Sequence, residues 1–161
     1  MGTHELSASL WRERELLELL VFKLTEEQLL LTSGKARWLQ YATQEVEQVM
    51  QKLRTASLAR SLEVSSVAED WGVDENSTLR ELTVHSTDDT WRDILTAHLV
   101  AMTALTREIQ ELRDLNLQYL RTAIRSAQES MANGGTASGT YDAKGVAETS
   151  SASARMFDLK L

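Results

Sequence analysis

Between Trp91 and Ala123, ten positions recur at intervals of three and four: Trp91, Leu95, His98, Met102, Leu105, Ile109, Leu112, Asn116, Tyr119 and Ala123. Only a helix gathers such positions on one face, because successive side chains turn by about 100° around its axis. The chain also has no proline in 161 residues. Proline removes a backbone donor and clashes with the preceding turn, so its absence leaves every helix interior unbroken. At 1.5 Å per residue, a helix from near Thr87 to a stop at Asn133-Gly134-Gly135 would run about 65 Å. A compact globule of this chain length is shorter than that, so the stripe predicts an elongated bundle.

The same spacing marks two earlier helices. Residues 5–32 carry Leu6, Leu10, Leu17, Leu20, Leu24 and Leu31, interrupted by Glu13 and Glu27. Val21 and Phe22 widen this face beyond a strict coiled-coil seam. Ser33-Gly34 supplies the stop, with glycine suited to the left-handed conformation that ends a helix. Lys35 to about Trp71 repeats the pattern through Leu39, Ala42, Val46, Val49, Leu53 and Ala56. So short a connection predicts an antiparallel hairpin, since each helix must bury its stripe against the other. The serines and β-branched residues between Leu62 and Val67 lower helix propensity, yet the segment is read as helical. Gly72 to Asn76 reads as a turn, and Asn76 or Ser77 as the cap of a short helix through His85. Ser86-Thr87-Asp88-Asp89 has the form of a capping box for the last helix. The expected fold is all-α: an elongated antiparallel helical hairpin or bundle of three long helices and one short, with a flexible C-terminal tail.

Composition changes at Met131. Four of the seven glycines follow it, and Ser, Thr, Ala and Gly make up 17 of the last 31 residues. Such a segment buries too little apolar area to offset the entropy of ordering it. Residues 1–131 are therefore expected to form a helical bundle domain and 132–161 a flexible tail. Tyr141 and Met156-Phe157 put bulky groups on that tether, which suits docking or self-capping.

Several functions are disfavoured. The chain has 17 basic and 24 acidic residues, a net charge of −7, and a nucleic-acid binder needs a basic face. Without cysteine there is no disulfide framework, thiolate zinc site or cysteine nucleophile. No run of about 18 apolar residues exists to cross a membrane, and no signal peptide stands at the N-terminus. A cytoplasmic protein is expected. Neither His85 nor His98 has a glutamate three residues before it, as a di-iron bundle requires, so no metal site is expected. Phosphate-cradling glycine motifs are missing, and Ser138-Gly139 falls in the tail, where nothing rigid could hold a nucleophile. The chain does not read as an enzyme. Trp11, Trp38, Trp71 and Trp91 are read as core or stripe-edge packing.

The end of the last helix is the informative surface. Leu112, Leu115, Leu117, Tyr119, Leu120 and Ile124 occupy more than one side of it, among Arg107, Arg113, Arg121 and Arg125. A helix that is apolar over so wide an arc is either central in a bundle or awaits another helix. No fifth long helix is available to cover it.

The order of elements, Leu112-Arg113-Asp114-Leu115-Asn116 in the last helix and Thr140-Tyr141-Asp142-Ala143-Lys144-Gly145 after it resemble the FlgN family of flagellar export chaperones. The segment from Leu10 to Leu20 is also similar to the first helix of one branch of that family. The resemblance implies a chaperone without cofactor or nucleotide. It would bind the C-terminal helical segment of hook-associated proteins, the hook-filament junction proteins, and deliver them to the export gate, FlhA. It assigns cargo binding to Leu112, Leu115, Tyr119, Leu120 and Ile124, and gate docking to Tyr141. Met156 and Phe157 are left to dock or to cap the bundle. The competing expectation is a coiled-coil assembly subunit that dimerises or otherwise homo-oligomerises through the same stripe.

Overall fold

A computed structural model of the chain describes residues 2–136. It contains four helices: α1 (Gly2–Thr32), α2 (Ala36–Asp70), α3 (Leu79–His85) and α4 (Asp89–Thr136). Three are long and one is short, and no strand occurs among the described residues. The expectations for Tyr141, for Met156 and Phe157 and for the tail from 137 onward lie outside the described residues. The chain falls into two compact units, residues 1–120 and 121–161.

In the first unit, glycine ends both hairpin helices. Gly34 takes φ +70° and Gly72 φ +67°, the left-handed region that side chains with a Cβ avoid. After α2 the chain closes a Schellman motif: the Val73 amide donates to the Ala68 carbonyl and the Gly72 amide to that of Glu69. α2 continues unbroken through the doubtful stretch, because Val64 and Val67 bury in the core. Ser65 Oγ there donates to the carbonyl of Glu75 and pins the following loop at 2.9 Å.

Three of the expected boundaries move. α3 is capped by Thr78, not Asn76 or Ser77: Thr78 Oγ1 accepts from the Glu81 amide while the Glu81 carboxylate accepts from the Thr78 amide. The capping box thus lies here rather than at Ser86–Asp89. At α4, Asp88 caps alone, its carboxylate accepting from the Thr90 amide at 2.8 Å. At its other end α4 runs through Gly134, which is helical here and not a stop. A helix interior tolerates glycine at a cost of about 1 kcal/mol, so composition did not fix this boundary.

Contacts establish the directions within the first unit. Gly2 approaches Val67, Glu13 bonds Arg60, Lys23 bonds Glu45 and Glu27 bonds Thr43, so α1 and α2 are antiparallel. Against α4 the order reverses. His4 meets Trp91, Ser7 meets His98, and Asn116 reaches Leu24 and Glu27, so α1 and α4 run parallel.

Two apolar clusters form the core. One joins Leu6 and Leu10 to Val64, Val67, Leu79, Leu82 and Leu95. The other joins Leu17, Leu20 and Leu24 to Val46, Val49 and Ile109. Each fully buried aliphatic side chain contributes about 1.5–3 kcal/mol of gross transfer free energy. Two tryptophans lie at a stripe edge and not in the core: Trp11 is 53% and Trp38 46% exposed. Arg14 lies over the Trp11 ring and Arg37 over that of Trp38, so each indole faces solvent with a guanidinium stacked on it.

In the second unit the described side chains, residues 121–134, are all exposed. Ile124 and Met131 are among them, at 50% and 77%.

Candidate functional site

The glutamates that break the apolar stripe of α1 turn out to be internal polar joints. Glu13 is 5% exposed and accepts from Arg60 Nε at 2.6 Å. Glu27 accepts from Thr43 Oγ1 and from Asn116 Nδ2, both at 3.1 Å. On the facing stripe of α4, His98 is 2% exposed, between Ser7 Oγ and Arg14 Nη1 at 3.4 Å each, with Trp11 edge-on to its ring. A guanidinium can only donate, so Nδ1 accepts from it and Nε2 carries the proton toward Ser7. Burial, and then the Arg14 charge, hold the imidazole below the ordinary histidine range.

Past Ile109 the buried line of α4 runs out. Leu112 is half-buried against the second core cluster and Asn116 is the last buried position. The remaining sequence-assigned residues of the first unit, Leu115, Tyr119 and Leu120, are exposed at 42%, 41% and 36%. They do not share one face. At about 100° per residue, Leu115 and Leu120 differ by about 140° around the helix, on opposite sides of the Leu112–Asn116 line. Leu115 and Tyr119 stand on one side, and Leu117 and Leu120 on the other. Ile124 belongs to the second unit.

Leu117 and Leu120 line a cleft of about 600 Å³ that also takes Leu31 from the end of α1 and Leu39 from the start of α2. Four aliphatic side chains from three helices thus meet where the hairpin turns, too far apart in sequence for periodicity to have joined them. Glu27 and Asn116 sit in the same lining. Asn116 Nδ2 donates to the Leu24 carbonyl at 2.9 Å as well as to Glu27. Both partners can only accept, so the amide cannot be turned over. Its Oδ1 is left buried and without a hydrogen-bond partner. Arg113 supplies the cleft's positive charge against Glu27, Glu47 and Asp114.

Such a site can hold an apolar segment and orient it by a few polar groups. Among the described residues no group of three or more His, Asp or Glu is placed to hold a metal ion, and no helix is long and apolar enough to cross a membrane.

Two comparisons are silent: no curated protein and no solved structure matches this chain. The third is not. The family model described as FlgN protein matches residues 1–149, nearly the whole chain and every helix described above. A helical hairpin, a short capped helix and a long last helix with uncovered apolar residues are thus spanned by one family, and the chain belongs to the FlgN family of flagellar export chaperones.

Proposed function

We propose that this chain captures the C-terminal helical segment of a hook-associated protein, keeps it from assembling prematurely, and delivers it from the cytoplasm to the export gate FlhA. The observation that supports this most is the apolar lining of the cleft beside the hairpin turn, where the exposed Leu117 and Leu120 of α4 meet Leu31 and Leu39. Segments that polymerise through apolar helical surface need that surface covered before export, and an amphipathic helix in a groove covers it. Leu112 and Ile124 complete the cargo-binding set that the sequence suggests. A handful of buried aliphatic contacts, less the cost of ordering the segment, gives a dissociation constant in the micromolar to nanomolar range. Gate docking falls to Tyr141.

Leu120→Asp tests the capture step. The residue is 36% exposed and outside both core clusters. The variant should keep its helix content by circular dichroism and lose capture of the hook-associated protein. Unchanged capture refutes the assignment. A homo-oligomer at nanomolar concentration that excludes the cargo segment in sedimentation would favour the assembly-subunit reading instead.

A further inference from the structure

We propose that the cleft reads a cation: it seats an amphipathic helical segment of the cargo protein that carries one lysine or arginine among its apolar residues. Asn116 and Glu27 are the residues that recognise that cation. This deepens the cargo-binding reading above and rests on it.

Two unfilled acceptors carry the inference. Asn116 is 4% exposed and lines the cleft, with Oδ1 buried and unpartnered. Buried polar atoms in folded proteins nearly always have a partner, so an orphan whose orientation is fixed calls for a donor from elsewhere. Glu27 is the second. Its half-buried carboxylate accepts from two neutral groups, Thr43 and Asn116, and no cation lies within ion-pair distance of it among the described residues. A carboxylate offers about four lone-pair sites, so capacity remains for a charged donor.

The surroundings select the kind of donor. Three carboxylates and one guanidinium line the cleft. Of the three acids, Glu47 is already bonded by Arg54. A hydroxyl from the partner would satisfy Asn116 and leave Glu27 without a counter-charge. A lysine or arginine satisfies both, and its aliphatic stem can lie along Leu31, Leu39, Leu117 and Leu120 while the head reaches the acceptors. Because Oδ1 is shielded in the free chain, the cation engages it only once the segment has seated and the neighbouring side chains have moved. The apolar contacts then supply affinity, and the cation supplies register and choice of partner.

Calorimetry with the full chain tests this. The probe is the C-terminal segment of the cognate hook-associated protein, about four heptads long, with each Lys or Arg replaced in turn by Met. One replacement should weaken binding by about tenfold or more, the size of a charged hydrogen bond. The same replacement should cost little against Glu27→Gln, whose amide oxygen still accepts from Asn116 Nδ2 while its NH2 can donate to the Thr43 hydroxyl, and which should retain wild-type helix content. Asn116→Leu should show the same loss of discrimination. Cation variants that all bind like the parent segment overturn the proposal, as does a penalty of equal size in wild type and Glu27→Gln. So does a homodimer dispersed by Leu120→Asp, which would give the cleft to a second copy. If the parent segment fails to bind wild-type chain at all, the cargo-binding reading falls and takes this inference with it.

Discussion

Removing the arginine of the buried Glu13–Arg60 pair should cost this protein a large part of its stability, and removing both partners should return it. In Arg60→Met the Glu13 carboxylate keeps its place on the inner face of α1, where its side chain is 7% exposed, and loses the Arg60 Nε donor at 2.6 Å. Breaking a buried pair this way costs about 3–5 kcal/mol. Arg60 itself is 25% exposed, so some water already reaches the site and the lower figure, about 3 kcal/mol, applies. Against a total of about 5–15 kcal/mol for a domain this is roughly a fifth to three fifths of the stability. It corresponds to a fall in Tm of about 10 °C. Glu13→Leu alone should cost less, about 1 kcal/mol, because the Arg60 head can swing to solvent. The double variant completes the apolar run Leu6, Leu10, Leu17, Leu20 and should be as stable as wild type or more so, since well-packed apolar replacements of buried pairs are neutral to stabilising. Urea unfolding followed by far-UV circular dichroism, on all four proteins, gives the coupling energy directly. An Arg60→Met loss under about 1 kcal/mol, or a double variant as unstable as Arg60→Met, would refute the reasoning.

His98 predicts a second dependence. Its folded pKa lies below the ordinary 6.5, so between the two values the unfolded chain binds more protons. Its stabilising effect is therefore complete above pH 6.5 and is lost as pH falls through that value toward the folded pKa. Melting temperature should drop as pH falls below about 6.5, and His98→Gln should flatten that slope; an unchanged slope would refute the role given to His98. Thr78→Ala removes the hydroxyl that accepts from the Glu81 amide and should cost about 1 kcal/mol, with faster amide exchange across α3 than across α4. The Thr78 amide also holds the Glu81 carboxyl below its usual range, so this cap weakens only under acid conditions, below about pH 4.5. Tyr141→Ala should spare cargo binding and weaken docking to the export gate; equal loss of both in pull-downs would show that the two roles are not divided.

Most of the helical architecture was legible because its cause is local. Five of the six leucines picked out on α1, Leu6 to Leu24, are buried, and the stripe of α4 buries Leu95, His98, Ile109 and Asn116. The errors came where local signals compete. Seven residues from Asn76 to Asp88 are of types that can cap a helix, and composition does not choose among them.

The candidate site was legible only in part. The sequence marked the end of α4 as apolar on more than one side and named Leu120, but it did not say how Leu115, Tyr119 and Leu120 divide between those sides. The helix turns them to opposite sides of the Asn116 line. Leu31 and Leu39 were visible only as the last and first members of two stripes, and Glu13 and Glu27 only as breaks in the first of them.

By itself the sequence determined which residues form helices, where the hairpin turns and which face of each helix is apolar. Those properties depend on side chains three or four positions apart and on glycines at helix ends. Only the tertiary structure decided that Leu31, Leu39, Leu117 and Leu120 line one cleft, that Glu13 meets Arg60, and that Asn116 spans from α4 to Leu24 and Glu27 with one acceptor left over. Those contacts join residues up to 92 positions apart. Their register is set by how whole helices pack, and a periodic stripe is compatible with several registers until the polar joints lock one of them.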